Sequence, residues 1–469
     1  MNASATATPA SPEAKGLATP AVLLAIMLPV WLSALDTAIA NTALPAIARN
    51  LNTSAAASVW IINAYQLVVV ALILPLAALG DYVGPRRVFL GGVAVFTVTS
   101  LACALATDLQ TLTWARALQG AGAAGIMTMN LALVRQVYPP HRFGRGVGLN
   151  AFVVGIGYCS GPTVASLLLS VTTWHWLFGI NVPLCVLAGW LGWRALPRTP
   201  ERAHPQRFDA LLAGLTAATF GAAMLTITHA AQRAPWSVLV WPVAVCVIAG
   251  AAMLYRQRGR SAPMLPVDLL RLPPFALSVA TSVSSFATQG MAFVALPFFF
   301  EQVMHRDAIE TGFLMSTWAL VVALVAPVAG RLSDKVRPAT LGSVGLLALS
   351  LGMGLLAVLG PDATAADIAW RMAWCGLGFG LFQSPNLKAI MTSVPSHRSG
   401  SASGMVAMAR LTGQTTGAAL VALCFGWYGA AGATTALILG CVTAALAAAV
   451  SATRLRFNSH MTPTGDSNP

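Results

Sequence analysis

The chain has 469 residues, of which 57% are hydrophobic and only 9% charged, and its formal net charge is +13. An ordinary soluble domain carries roughly 25% charged residues, so the charged shell that a soluble core of this size needs is missing. The basic excess invites a nucleic-acid reading, which the placement of those residues, traced below, excludes.

A helix crossing about 30 Å of hydrocarbon needs about 20 apolar residues. Fourteen runs meet that demand, near 21–43, 57–79, 87–107, 112–134, 146–169, 173–194, 209–230, 236–256, 273–300, 311–330, 338–360, 366–388, 402–427 and 430–452. They are far longer than the alternating segments of an outer-membrane barrel, so the expected fold class is an all-α polytopic membrane protein. Residues 1–18, rich in Ala, Thr, Ser and Pro, form a tail expected to be disordered and cytoplasmic. Lys15 before the first run resembles the start of a signal peptide. That run is long, carries Asp36 and leads into many more, so it reads as an uncleaved first helix.

Within this first span, Asp36 stands in Leu35-Asp36-Thr37-Ala38-Ile39-Ala40-Asn41. An ionisable group at membrane depth marks the handling of something polar, a proton or a cation. Confinement favours the neutral form of a carboxylate and hydration the charged form, which is the chemistry a proton-coupled carrier uses. The alternative is a structural hydrogen-bonding role beside Thr37 and Asn41. After the second span, Asp81, Arg86 and Arg87 sit in a tight loop, an acid at one helix end and bases at the next start. They are expected to form an inner gate, against the plainer role of setting topology.

Arg116 opens the fourth span three residues before Gln119; its guanidinium does not deprotonate and must find acceptors. An interhelix clamp is one role for it. Gly157, Gly161 and Pro162 interrupt the fifth span, where small residues permit close helix approach and proline bends the helix. Basic linkers, Arg194–Arg207 and Arg256–Arg271, bracket spans 7 and 8, which look like inert packing helices. In the ninth span Glu301 follows Phe298, Phe299 and Phe300. Aromatic faces with an acid suit a lipophilic cation, although Glu301 also fits a place at the outer interface. Asp334 and Arg337 lie in a loop that echoes the Asp81 loop and form a weaker second gate. Arg410 and Gln414 in the thirteenth span read as a gate or packing pair, or as substrate ligands.

The seven cysteines all fall inside spans without paired ligand spacing, so neither a disulfide framework nor a metal site is expected. With the amino terminus inside, Arg86, Arg87, Arg135, Arg194, Arg256, Arg331, Arg337 and most other bases fall on the inner side. Arg49, Arg233, Arg306 and Arg371 fall outside. That asymmetry places both termini in the cytoplasm and supports an even number of spans; the bases are topology anchors beside anionic lipid.

The two groups of six spans echo each other at Leu79-Gly80-Asp81-Tyr82-Val83-Gly84-Pro85-Arg86-Arg87 and Gly330-Arg331-Leu332-Ser333-Asp334-Lys335-Val336-Arg337-Pro338, the internal repetition of alternating-access transporters. Together with the first-span sequence, Arg116-Gln119-Gly120-Gly122, Gly157-Gly161-Pro162 and Trp174 to Pro183, these motifs resemble the major facilitator superfamily. The likeness is to its fourteen-span drug:proton antiporters of the QacA/EmrB type, over about residues 20–455. The match departs at Ala77, Tyr82, Pro85, Ala165, Ser166 and His175. The resemblance implies two six-helix bundles, 19–194 and 273–453, with linkers and two extra helices in 195–272 and a cytoplasmic tail at 454–469. It implies proton-coupled efflux of drugs or amphiphilic compounds through a bacterial cytoplasmic membrane, with a metabolite exporter or uptake permease as the alternative. For Arg116 the resemblance implies proton coupling as the other role beside the clamp. No enzymatic activity and no cofactor beyond the proton motive force are expected. The expected partners are protons, a small-molecule substrate and lipids. A functional monomer is expected, and a periplasmic accessory protein is left open.

Overall fold

In the computed structural model the described residues are 19–138, 143–197, 208–231, 234–257, 267–333, 335–360, 362–394 and 399–457. They are helical throughout: α1 (Pro20–Asn50), α2 (Ala55–Ser58), α3 (Trp60–Val83), α4 (Pro85–Ala104), α5 (Leu109–Val137), α6 (Phe143–Val171), α7 (His175–Gly179) and α8 (Asn181–Ala195). There follow α9 (Ala210–Ala231), α10 (Trp236–Arg256), α11 (Pro273–Phe298), α12 (Ala308–Leu332), α13 (Pro338–Ala357), α14 (Ala365–Thr392), α15 (Ser399–Tyr428) and α16 (Gly432–Phe457).

Local chemistry sets the helix starts. Thr19, Asp108, Asp307 and Thr364 cap α1, α5, α12 and α14 by accepting from a backbone N–H three residues on. Proline, whose missing N–H costs nothing in a first turn, opens α1, α4, α11 and α13. Between α3 and α4 the chain reverses at Gly84 with φ of 95°, a conformation that disfavours a side chain.

Among the described residues, twelve segments are long and apolar enough to cross a membrane. The last of them, Gly404–Arg454, runs through both α15 and α16. α14 is not among the twelve; Asp367, Arg371 and Lys388, with its Gly, Gln, Ser, Pro and Asn residues, lower its hydropathy.

The helices form two bundles. α1, α3, α4, α5, α6 and α8 pack together, as do α11 to α16. The bundles meet along two seams, α6 on α12 and α3 on α15, with α1 beside α11 between them. Helix α9 rests against α3 and α15, held at its two ends by Trp60 with His229 (5.6 Å) and Tyr82 with Phe208 (6.1 Å). Helix α10 packs on α9.

Helix direction defines two faces, one where α1 ends at Arg49 and one where α4 begins at Arg86. Among the described residues, the cross-bundle hydrogen bonds lie at mid-depth or toward the Arg49 face. Thr163 Oγ1 meets Ser316 Oγ at 2.7 Å, and Thr415 Oγ1 donates to Gln66 Oε1 at 3.0 Å. At that face Arg49 Nη1 pairs with Glu301 Oε2 at 2.8 Å. The bundles are therefore latched together on the Arg49 side.

Candidate functional site

The first bundle buries an ion pair at mid-depth. Asp36 sits at the centre of α1, fully enclosed, and Arg116, 1% exposed, reaches it from the second turn of α5. Arg116 Nη1 donates to Asp36 Oδ2 at 2.5 Å. The second carboxylate oxygen accepts from Asn181 Nδ2 at 2.9 Å and from Gln119 Nε2 at 3.2 Å. Gln119 also accepts from Arg116 Nη1 at 2.5 Å and donates to Ser100 Oγ at 2.8 Å. The guanidinium carbon lies 4.3 Å from the Tyr65 ring centre and 5.4 Å from that of Phe178, and Nε donates to the Ile61 carbonyl at 3.4 Å.

The Asp36 carboxylate on α1 thus accepts from α5 and α8, and Arg116 and Gln119 extend the network to α3, α4 and α7. Such a pair survives in a low-dielectric interior because further hydrogen bonds reach both partners: Asn181 and Gln119 donate to the carboxylate, and Gln119 and the Ile61 carbonyl accept from the guanidinium. The spacing of Arg116 and Gln119, one turn apart on α5, puts both on one face toward Asp36. On the opposite flank of α1, a Cβ on Gly157 would come within 2.8 Å of the Ala34 Cβ, and one on Gly161 would overlap Ala38. These glycines let α6 approach α1 to backbone distance on either side of Asp36. The next residue, Pro162, presents its carbonyl to Gly312 of α12, so α6 joins the Asp36 helix to the second bundle.

The remaining sequence-derived residues are dispersed. Glu301, in a single π-helical turn (Phe299–Val303) after α11, is the partner of Arg49 across the bundles rather than a neighbour of Asp36. Arg86 Nη2 donates to the Trp193 carbonyl of α8 at 2.5 Å, within its own bundle; Asp81 and Arg87 are exposed beside it. Arg337 is exposed at the start of α13, and Asp334 lies outside the described residues. Gln414 Nε2 donates to Gln289 Oε1 of α11 at 3.2 Å, and Arg410 stands one turn before it, partly exposed.

Two parts of the polar architecture escaped sequence reasoning. Asn181 closes the Asp36 shell from a stretch that was legible only as a motif. In the second bundle Arg454, 3% exposed, donates to Asn386 Oδ1 (2.6 Å), Ser278 Oγ (2.8 Å) and Ser451 Oγ (2.6 Å), a guanidinium held by neutral acceptors. Its position near the chain end reads in the sequence as a tail charge. The available signal was the run of serines on α11, whose hydroxyls need partners in an apolar helix. Among the described residues no group of three His, Cys, Asp or Glu could hold a metal.

The family model of the Major Facilitator Superfamily matches residues 26–418. The chain belongs to the major facilitator superfamily. Its fold is that of a multi-pass membrane transporter, not an enzyme. Among superfamily relatives it is 43% identical to the uncharacterized transporter YebQ of Escherichia coli (strain K12) over 446 residues, 94% of this chain and 98% of that one. It is 28% identical to the riboflavin transporter RibZ of Clostridioides difficile (strain 630), over 83% and 84% of the two chains. It is 31% identical to the multidrug resistance protein Stp of Mycobacterium tuberculosis (strain CDC 1551 / Oshkosh), over 85% and 74%. Superfamily membership carries secondary transport of small solutes.

Proposed function

We propose that this chain is a proton-coupled exporter of amphiphilic compounds, working by alternating access as a fourteen-span antiporter of the bacterial cytoplasmic membrane. In this reading α14 and the two halves of Gly404–Arg454 each cross the membrane, α9 and α10 are the extra pair, and both termini are cytoplasmic. The Arg86 face is then cytoplasmic, in keeping with the bias of basic residues toward it.

The observation that carries the coupling is the enclosed Asp36–Arg116 pair. A guanidinium and a proton compete for the same carboxylate oxygen, so Asp36 takes a proton only when the pair opens. Opening requires α1 and α5 to shift inside the first bundle. Close packing of α6 on α1 at Gly157 and Gly161, and of α6 on α12, links that shift to the seam between the bundles. The Arg49–Glu301 latch must break for the Arg49 side to open. Asp81, Arg86 and Arg87, with Asp334 and Arg337 as the weaker second set, act at the opposite closure, where their loss biases the two states without touching the central route.

Reconstitution in proteoliposomes with an imposed proton gradient tests this reading. Gradient-driven movement of a substrate by the wild type, and its loss in Asp36→Asn with normal membrane insertion, is expected. Movement of every transported compound without any proton dependence would favour a facilitated permease. The RibZ likeness keeps a metabolite in view as cargo.

A further inference from the structure

Three arginines of the two bundles have surroundings that differ in kind. Arg116 has a carboxylate, Arg454 has three neutral acceptors, and Arg410 has neither. Among the described residues, no hydrogen bond or ion pair joins the Arg410 guanidinium to another side chain or carbonyl, and its Nε is enclosed without an acceptor. It stands six residues past Gly404, where the apolar stretch of α15 begins, roughly 9 Å along the helix at a rise of about 1.5 Å per residue. A guanidinium does not deprotonate in proteins, so inside a span it takes an acceptor, and the enclosed Nε leaves that place to water or to a bound anion. A packing or clamp role would show acceptors, as Arg116 and Arg454 do.

The surroundings are consistent with a ligand. Residues 410 and 414 share one face of α15, and Gln414 is bonded to the half-buried Gln289 of α11, placing neutral polar groups beside the cation. Phe286, one turn before Gln289, lies against Gly413 and forms an edge contact with Phe379 of α14 at 5.4 Å, an apolar wall. The charge balance points the same way. Among the described residues, the mid-depth carboxylate Asp36 is committed to Arg116, and Glu301 at the Arg49 face is committed to Arg49. A cationic compound meets no free acid there, whereas an anion meets a free fork of donors suited to bidentate carboxylate binding.

We propose that Arg410 is the anion-recognising residue of the transport route, and that the cargo is an organic anion, a carboxylate on an apolar body. This rests on the transport reading above and narrows its substrate class.

The test compares 2-naphthoate with its neutral amide and with 2-naphthylmethylamine, three compounds of similar shape. Each is titrated into the purified full chain in detergent. Naphthoate should bind the wild type at least tenfold more tightly than the amide or the amine. Arg410→Gln should erase that preference, and Arg410→Lys should keep part of it. Since Arg410 bonds nothing among the described residues, both variants should retain the wild-type Tm, which separates lost recognition from misfolding. Equal affinity for all three compounds, unchanged naphthoate affinity in Arg410→Gln, or no binding of either aromatic or alkyl carboxylates would overturn the proposal. The same compounds in proteoliposomes separate the two readings. Amine transport unaffected by Arg410→Gln would sink the anion site and leave transport standing. Arg410-dependent binding with no movement under any gradient would do the reverse.

Discussion

The two bundles each bury an arginine, and they neutralise it differently. In the first, Arg116 meets a carboxylate, Asp36, whose remaining lone pairs are taken by Asn181 and Gln119. In the second, Arg454 near the Arg86 face is held by Ser278, Asn386 and Ser451, none of which titrates in the physiological range. An acid–base pair has two protonation states and can switch; a guanidinium among hydroxyls and amides has one. On the proposed reading the first bundle holds the element that a proton operates, and the second a fixed clamp joining α11, α14 and α16.

The largest effects should come from breaking the pair. Removing one partner of a buried ion pair leaves an uncompensated charge and costs about 3–5 kcal/mol, so Arg116→Ala should lower the Tm sharply and stop proton-driven transport. Arg454→Ala should cost less, on the order of 1–3 kcal/mol, the cost of leaving a buried acceptor unsatisfied. The difference between bundles predicts that its proton-to-substrate ratio stays that of the wild type, as read by pH change against substrate flux. An altered ratio would erase the distinction between switch and clamp.

The Arg49–Glu301 latch is a smaller lever. Arg49 is 57% exposed, so solvent screens the pair, and such pairs are worth about 0–1 kcal/mol. Glu301→Gln should shift the balance between the two access states by up to about fivefold, measured as labelling of a cysteine placed at Asn52. Labelling unchanged from the wild type would mean that the seam, not the ion pair, holds this side shut.

The smallest expected effect lies at Asp108, the exposed cap of α5. Hydrogen bonds from the Thr111 hydroxyl and backbone N–H hold its carboxyl below the usual Asp range. A carboxyl with a lowered folded-state pKa stabilises above its unfolded value and loses that contribution as pH falls through the folded one. Asp108→Ala should therefore lose a small part of the Tm difference between neutral and strongly acidic solution. The same pH dependence in the variant would mean that the cap contributes nothing.

Much of the fold was legible because hydrocarbon dictates it: apolar runs about 20 residues long can only be helices there. The run near 366–388 is the instructive exception, since α14 carries enough charged, small and polar residues to miss a strict apolarity threshold while still packing as a full helix. At the site, Asp36 and Arg116 stood out because charge at depth is rare. Their mutual contact did not, because a separation of 80 residues carries no distance information. Glu301 was read both as a cargo ligand and as an outer-interface residue; only three dimensions reveal Arg49 opposite it. Arg454 was missed because helix α16 continues past the point where hydropathy falls.

The central claim is that the Asp36–Arg116 pair is the proton-operated element. Its most direct test is a count of protons taken up or released by the purified protein in weakly buffered detergent solution when a transported substrate is added. The account predicts a defined proton change in the wild type and in Arg454→Ala, and none in Asp36→Asn that still binds substrate. An equal proton change in Asp36→Asn would contradict it.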